Sequence, residues 1–500
     1  MGEPLSVFSV VAPGIRGLNR QESESVLDAS WAIEALNAVI DKQGRLAARK
    51  GWVAVSGAIG GSPDVTQVFE YIDASNTSRM ISATATNLYE GTATLTARTG
   101  ALVPTAGNWQ FQNFNDYVVG WQAGHAPIQK QGAGDFQAIV AGSGSLPLGN
   151  AVLAAYGRIW ASEANGLGIK WSDLLNHTAW SGGSSGQLNL REVWVYGMDF
   201  VQAITAFNGF LIIFGRDNIA IYSGVDDPSQ MALVEVINGV GCVARDSVQI
   251  TGDDVWFLSK KGVQSLRRVI QEDAMPMIDV SKNVRDLVVE YYSNESVANI
   301  RSVYSPIDGF YLLTFPATDR TLCLDTRGRL EDGSARATYW TMVPTGMFLG
   351  QDKILYLGVP GYLAKYSGYT ENSATYQFVY SSPWVDWVDE RTGIPMLKIP
   401  KTFVVMAQAT AVDDLEISWF FDFSDDEYTY TLDLTSSGTY EYGIGEYGIA
   451  EYGGTPSLHL KYIPAAGQGR IIRIEIEAEV PGAGFALQRI DIQAKHGRIA

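Results

Sequence analysis

The chain has 500 residues, 46% of them hydrophobic and only 18% charged, with a net charge of −18. This supplies apolar surface for about three domains and excludes a generally basic nucleic-acid binder, which needs a Lys/Arg surface to displace counterions. Cys242 and Cys323 are too few for a disulfide scaffold, no apolar run reaches the ~18 residues of a spanning helix, and Met1-Gly2-Glu3-Pro4 lacks the opening of a signal peptide.

Residues 1–59 read as an N-terminal arm with the first strands. Ala29 to Ile40 reads as a short helix or extended arm, with Trp31, Ala35, Leu36 and Val39 as its apolar positions. Asp41-Lys42-Gln43-Gly44 is a turn signal leading into a strand.

From 60 to 370 one unit recurs: an apolar strand, a Gly/Asp/Asn turn, and a second apolar strand. The clearest copy is Asn208-Gly209-Phe210-Leu211-Ile212-Ile213-Phe214 to Ile219-Ala220-Ile221-Tyr222. About seven copies follow one another at roughly 35 to 55 residues, near the period of propeller repeats. Such units bury their faces only by stacking on neighbours. The expected fold is therefore all-β, a roughly seven-bladed β-propeller. One helix interrupts it, Val280 to Tyr292, with Val284, Leu287, Val288 and Tyr291 on one face and Ser281 as N-cap.

Residues 371–500 change character. Several strands alternate with period two, as in Arg470 to Glu477, where Ile472, Ile474 and Ile476 share a face. From Thr375 onward 18 acidic residues stand against nine basic ones, half of the net charge in a quarter of the chain. This part is expected to form a separate C-terminal β-sandwich.

Motifs for catalysis or cofactors are sparse. His125, His177, His459 and His496 are far apart and lack zinc-ligand spacing. Gly239-Val240-Gly241-Cys242-Val243-Ala244 fits a loose dinucleotide pattern, but a strand rather than a helix is expected next. Ser172 to Trp180 only approximates the Asp-box turn of sialidase-like propellers. No catalytic, cofactor or metal residue is assigned, and no enzyme activity is expected. The oddest segment is the five-residue repeat carrying Glu441-Tyr442, Glu446-Tyr447 and Glu451-Tyr452. An odd period puts successive tyrosines on opposite faces of a regular strand. Tyrosine supplies large contact area at low entropy cost, so the repeat is either a solvated loop or a contact arm.

Three stretches carry a family resemblance: Gly17-Leu18-Asn19 with Asp41 to Trp52, Phe210 to Tyr222, and Gly241 to Ala244 with Asp254 to Val263. With the order arm, propeller, β platform, the chain resembles the β-propeller tail hub or nozzle proteins of short-tailed bacteriophages. The resemblance implies a virion structural protein forming a ring, usually a homohexamer, between a tail adaptor ring and tail fibres. Genomic DNA would pass through that ring without sequence-specific binding, and a wall poor in Lys/Arg avoids arresting it. Interface candidates are then Trp31, Leu36, Tyr442, Tyr447, Tyr452, Glu441, Glu446 and Glu451. The alternative reading is a receptor- or polysaccharide-binding propeller with glycoside hydrolase activity as its catalytic form. Exposed tryptophans in a concave site would favour that alternative.

Overall fold

The computed structural model describes residues 5–103, 108–194, 199–266, 278–386, 397–409, 415–434 and 457–496. Among these residues, seven four-stranded antiparallel units succeed one another along the chain. The first runs from Gln67–Ile72 to Thr96–Ala97, the second from Gln110–Phe114 to Gln137–Ala138, and the third from Val152–Ala155 to Gly186–Asn189. The fourth runs from Ala203–Phe207 to Ala232–Asn238 and the fifth from Gln249–Ile250 to Ile278–Asp279. The sixth runs from Arg301–Ser305 to Ala335–Trp340. The seventh takes Gly346–Leu349, Leu355–Val359 and Tyr362–Tyr366 and borrows its fourth strand, Trp52–Ala54, from the N-terminus.

The tight turns come from the residues the hairpins require. Asn208 and Gly209 both take positive φ, 48° and 82°, the geometry of an Asn-Gly type I′ hairpin. The first strands of the first to fourth units pack side by side in turn, as do those of the fifth, sixth and seventh, and that of the seventh packs on that of the first. Apolar layers fill the gaps between units. Trp109 and Phe111 meet Tyr71 and Ile81 between the second unit and the first. Phe214 and Ile221 meet Val255 and Phe257 between the fourth and the fifth. Met80 and Val68 meet Tyr356 and Leu363 where the seventh returns to the first. This is the architecture of a β-propeller.

The C-terminal residues build two further layers. One extends the sixth unit: after Ala335–Trp340 come Glu34–Leu36, Tyr376–Ser381, Ile471–Val480, Leu415–Phe421 and Tyr428–Leu432, giving ten strands in all with Val385–Asp386. The other is six-stranded, with Ala38–Ile40, Leu46–Ala48, Phe485–His496, Lys398–Ala409 and Ser457–Pro464 in order and Ser6–Val11 on Phe485–His496. Phe403, Val405, Ile490 and Ile492 of the six-stranded sheet share one core with Ile417, Trp419, Ile472 and Ile474 of the other. The Phe403 and Trp419 rings lie 4.9 Å apart.

Two local expectations are corrected. Residues 29–40 form no helix: Glu34–Leu36 and Ala38–Ile40 are strands, broken at Asn37, whose φ is 53°. Leu36 pairs with Tyr339 on one side and Val379 on the other, so backbone pairing overrides the helical spacing. The predicted helix is a 3₁₀ turn, Lys282–Val284, followed by the α-helix Arg285–Ser293. Ser281 makes no side-chain cap. Its hydroxyl accepts from the Val263 N–H and donates to Asp279, tying the helix entry to the fifth unit instead.

Candidate functional site

The propeller axis is the first place to look for a site. The first strands of the first, second, fifth, sixth and seventh units line a cavity of about 170 Å³, and its polar wall is a charge staple. Arg245 precedes the fifth unit and grips the Asp246 carboxylate with two bonds of 2.7 and 2.8 Å. It also donates to the Asn108 side chain at 2.6 Å and the Asn150 carbonyl at 2.8 Å, reaching the entries to the second and third units. Arg301 approaches Asp246 from the sixth unit at 3.4 Å and donates to the Thr66 carbonyl before the first. Burial pushes the Asp246 carboxyl up, but the two guanidiniums outweigh it and hold it below the ordinary value. Such a carboxylate is a poor general base or acid at neutral pH.

Similar staples recur between units. Lys130 of the second unit, its side chain fully buried, pairs with Glu90 of the first at 2.5 Å. Burial raises the Glu90 carboxyl, but Lys130 and Arg79 bring it below the usual value. Asp254 accepts from Trp256, Ser265 and Arg329, joining the fifth unit to the sixth. The depressed Asp246 and Glu90 carboxyls contribute stability that is full above their unfolded values and is lost as pH falls through the folded ones. Urea midpoints are therefore expected to stay flat down to about pH 4 and to drop steeply below it. A midpoint unchanged to pH 2.5 would contradict these assignments.

The other chemistry-bearing residues have structural partners. Among the described residues no three His, Cys, Asp or Glu side chains converge to hold a metal. Cys242 and Cys323 are buried, and burial pushes the Cys242 thiol up to about 12. His177, lowered by burial, bonds Gln129 at 2.5 Å and lies 4.7 Å from the Tyr117 ring. Asp173, in the near-Asp-box, accepts from the Ser184 amide and hydroxyl, which makes it a turn residue. The residues after Gly239 to Ala244 form a 3₁₀ turn and then the strand Gln249–Ile250. Ten of the twelve described tryptophans are buried, and Trp31 and Trp52 are half-buried.

Five exposed large apolar side chains, Val7, Val11, Leu458, Leu460 and Tyr462, lie on the outward face of the six-stranded sheet. Leu458, Leu460 and Tyr462 alternate along the edge strand Ser457–Pro464 and are 57%, 47% and 65% exposed. Directly opposed residues share a face. The rows Val11–Arg489–Met406–Leu460 and Val7–Gln493–Thr402–Pro464 therefore carry the same face across to Ser6–Val11. His459 and Lys461 point the other way and are half-buried. The outward face of the ten-stranded sheet is acidic instead. Glu475, Glu477 and Glu479 alternate with buried Ile474, Ile476 and Ala478, and Glu416 lies opposite Glu477.

Of the sequence-predicted interface residues, Trp31 is half-buried with the Arg16 guanidinium 5.6 Å from its ring. Leu36 is half-buried against the shared core. Glu441, Tyr442, Glu446, Tyr447, Glu451 and Tyr452 lie outside the described residues. The apolar stripe was missed. Its only sequence signal is the alternation Leu458-His459-Leu460-Lys461-Tyr462, which marks a strand but not which face looks outward.

No protein-family profile and no curated protein matches the chain. Among solved structures the chain is similar to the extracellular domain of BT4673 from B. thetaiotaomicron, with 12% identity and a TM-score of 0.43 over 85% of this chain. It spans 62% of that domain's length. It is also similar to the WD40 domain of Neurospora crassa Pan2, with 8% identity and a TM-score of 0.39, covering 64% of this chain and 96% of that one. For the C-terminal WD40 domain of Sif2 the identity is 9% and the TM-score 0.36, covering 63% of this chain and 98% of that one.

Proposed function

We propose that the chain is a non-enzymatic structural subunit, a seven-bladed propeller carrying a β-sandwich platform, that closes head to tail into a ring in the short tail of a bacteriophage. Each four-stranded unit is one blade, and the two C-terminal sheets around one core are the platform. The ring, a homohexamer by the family resemblance, continues the DNA channel in the virion and retains or releases the genome. Its neighbours are an adaptor ring and tail fibres.

The observation that carries this reading is the apolar stripe of Leu458, Leu460 and Tyr462 along the edge strand, with Val7 and Val11 exposed on the same face beyond the polar row Arg489, Asp491 and Gln493. Contiguous exposed apolar surface on a soluble body marks an interaction face. A ring needs heterologous contacts that close by rotation, and an open sheet edge with an apolar face is one such half-contact. The acidic opposite face supports the channel role, because carboxylates repel DNA phosphates and let a duplex slide. The scarcity of exposed tryptophan among the described residues weighs for this reading over a sugar-binding one.

The test is negative-stain electron microscopy of the purified chain at rising concentration, with mass photometry. Closed rings with a central hole are expected. Changing Leu458, Leu460 and Tyr462 together to Glu is expected to weaken assembly at least tenfold and leave the melting curve unchanged. Single subunits at every concentration, together with saturable binding on a glycan array, would overturn the reading.

A further inference from the structure

We infer that the cleft between propeller and platform is the docking site for the acidic tyrosine repeat Glu441–Gly454 of a second copy of this chain. The inference rests on the ring reading and names the acceptor side of its contact.

The cleft measures about 570 Å³. One wall is the outward row Ala47–Ala486–Gln408 of the six-stranded sheet, and the next residue of that row is Leu458 of the exposed stripe. The cleft is therefore continuous with the surface that the ring reading uses. The opposite wall carries Phe310, Tyr366 and the 42% exposed Ile307. Gly484 sits so close to Tyr369 that a Cβ there would meet the ring at 2.9 Å, which keeps the floor flat.

Charge selects the occupant. Lys42, Arg45, Lys50 and Arg327 border the cleft in a chain of net charge −18; Arg45 pairs with Asp41, Lys50 with Asp308 and Arg327 with Asp325, so among the described residues the exposed Lys42 is the cation left to meet an incoming carboxylate. The Lys50 ammonium lies 5.6 Å from the buried Tyr366 ring centre, and the exposed Ile307 supplies the apolar surface of that wall. Glu441–Gly454 has the matching chemistry: three glutamates, three tyrosines and no Lys or Arg. The tyrosines supply buried area, and the carboxylates set register and approach.

The chain's path agrees. The 435–456 segment ends at Ser457, which pairs with Ala409, and Ala409 pairs with Phe485 on the cleft wall. At a strand spacing of about 4.8 Å, that end lies roughly 10 Å from the rim. Fourteen extended residues reach about 46–50 Å, enough to leave one subunit for the next. A heterologous ring places donor and acceptor at different points of the same chain, which such an arm and this cleft satisfy.

The test uses a variant lacking Glu441–Gly453 and a fluorescent synthetic peptide of residues 441–454. Anisotropy is expected to show saturable binding that falls at least tenfold with Lys42→Glu plus Ile307→Asp, both exposed positions whose change leaves melting intact. The peptide with all three tyrosines changed to Ala is expected not to bind. In assembled rings, Ile307→Cys on one copy and Tyr447→Cys on another are expected to cross-link between chains. Absence of binding at millimolar peptide, binding indifferent to the cleft variants, or cross-links confined to one chain would overturn the inference. Rings that form normally without Glu441–Gly453 would also overturn it, leaving the ring reading intact. A full chain that never assembles although the peptide binds would overturn the ring reading and the second-copy donor with it.

Discussion

Deleting residues 1–54 is expected to leave no soluble folded protein. The segment looks dispensable because it precedes the first propeller unit, but its strands are shared among three sheets. Trp52–Ala54 closes the seventh unit against Tyr362–Tyr366, and its loss exposes a strand edge beside the first unit. Glu34–Leu36 lies between Ala335–Trp340 and Tyr376–Ser381, so its loss parts propeller from platform. Val10, Leu18, Leu27, Ile33, Ile40 and Leu46 are all buried. At about 1.5–3 kcal/mol for each buried large side chain, their removal costs roughly 9–18 kcal/mol, as much as a typical domain's whole stability. Arg49 adds to the loss. Its guanidinium is buried over the Tyr376 ring at 4.3 Å, bonds Asn37 and pairs with Glu371. A deletion of residues 1–12 removes only the outer strand Ser6–Val11 and is expected to stay soluble. Expression, circular dichroism and melting of the two truncations check this. A truncated 55–500 chain that melts cooperatively would overturn the woven role of the N-terminus.

The same segment shows where sequence reading ran out. The repeated hairpins were legible because each is local: Asn208-Gly209 announces its own turn, and the apolar runs on either side pair with each other. The alternation of Ile472, Ile474 and Ile476 was legible for the same reason, and all three are buried. Glu34–Leu36 has three residues and partners some 300 to 345 positions away, so nothing near it reveals its pairing. Its apolar neighbours fit a helix equally well. The axial staple was hidden too. Arg245, Asp246 and Arg301 look like ordinary surface charges until the first strands converge. The apolar stripe was hidden by a reversal. Alternation in a half-buried strand normally aims the apolar set inward, whereas Ser457–Pro464 turns Leu458, Leu460 and Tyr462 outward and His459 and Lys461 in.

Asp246→Ala is expected to destabilise the fold by about 3–5 kcal/mol, the cost of removing one partner from a buried ion pair. The change leaves Arg301, itself 4% exposed, facing Arg245 without the charge between them. Thr66 and Ala298 still accept from Arg301 through their carbonyls, and Asn108 and Asn150 still accept from Arg245, so hydrogen bonds survive while charge neutralisation does not. Asp246→Asn separates the two contributions. It keeps the size and one acceptor oxygen but removes the charge, so the part of the loss it reproduces is electrostatic. Urea unfolding followed by tryptophan fluorescence reads both variants, since Trp109 and Trp256 lie in the second and fifth units. The outcome also bears on the ring proposal. If the staple is as desolvated as its geometry indicates, Arg245, Asp246 and Arg301 close the propeller axis, and under that proposal DNA would pass only through the hole between subunits. A loss below ~1 kcal/mol, the level of an exposed ion pair, would mean that water already fills the axis and that the staple does not seal it.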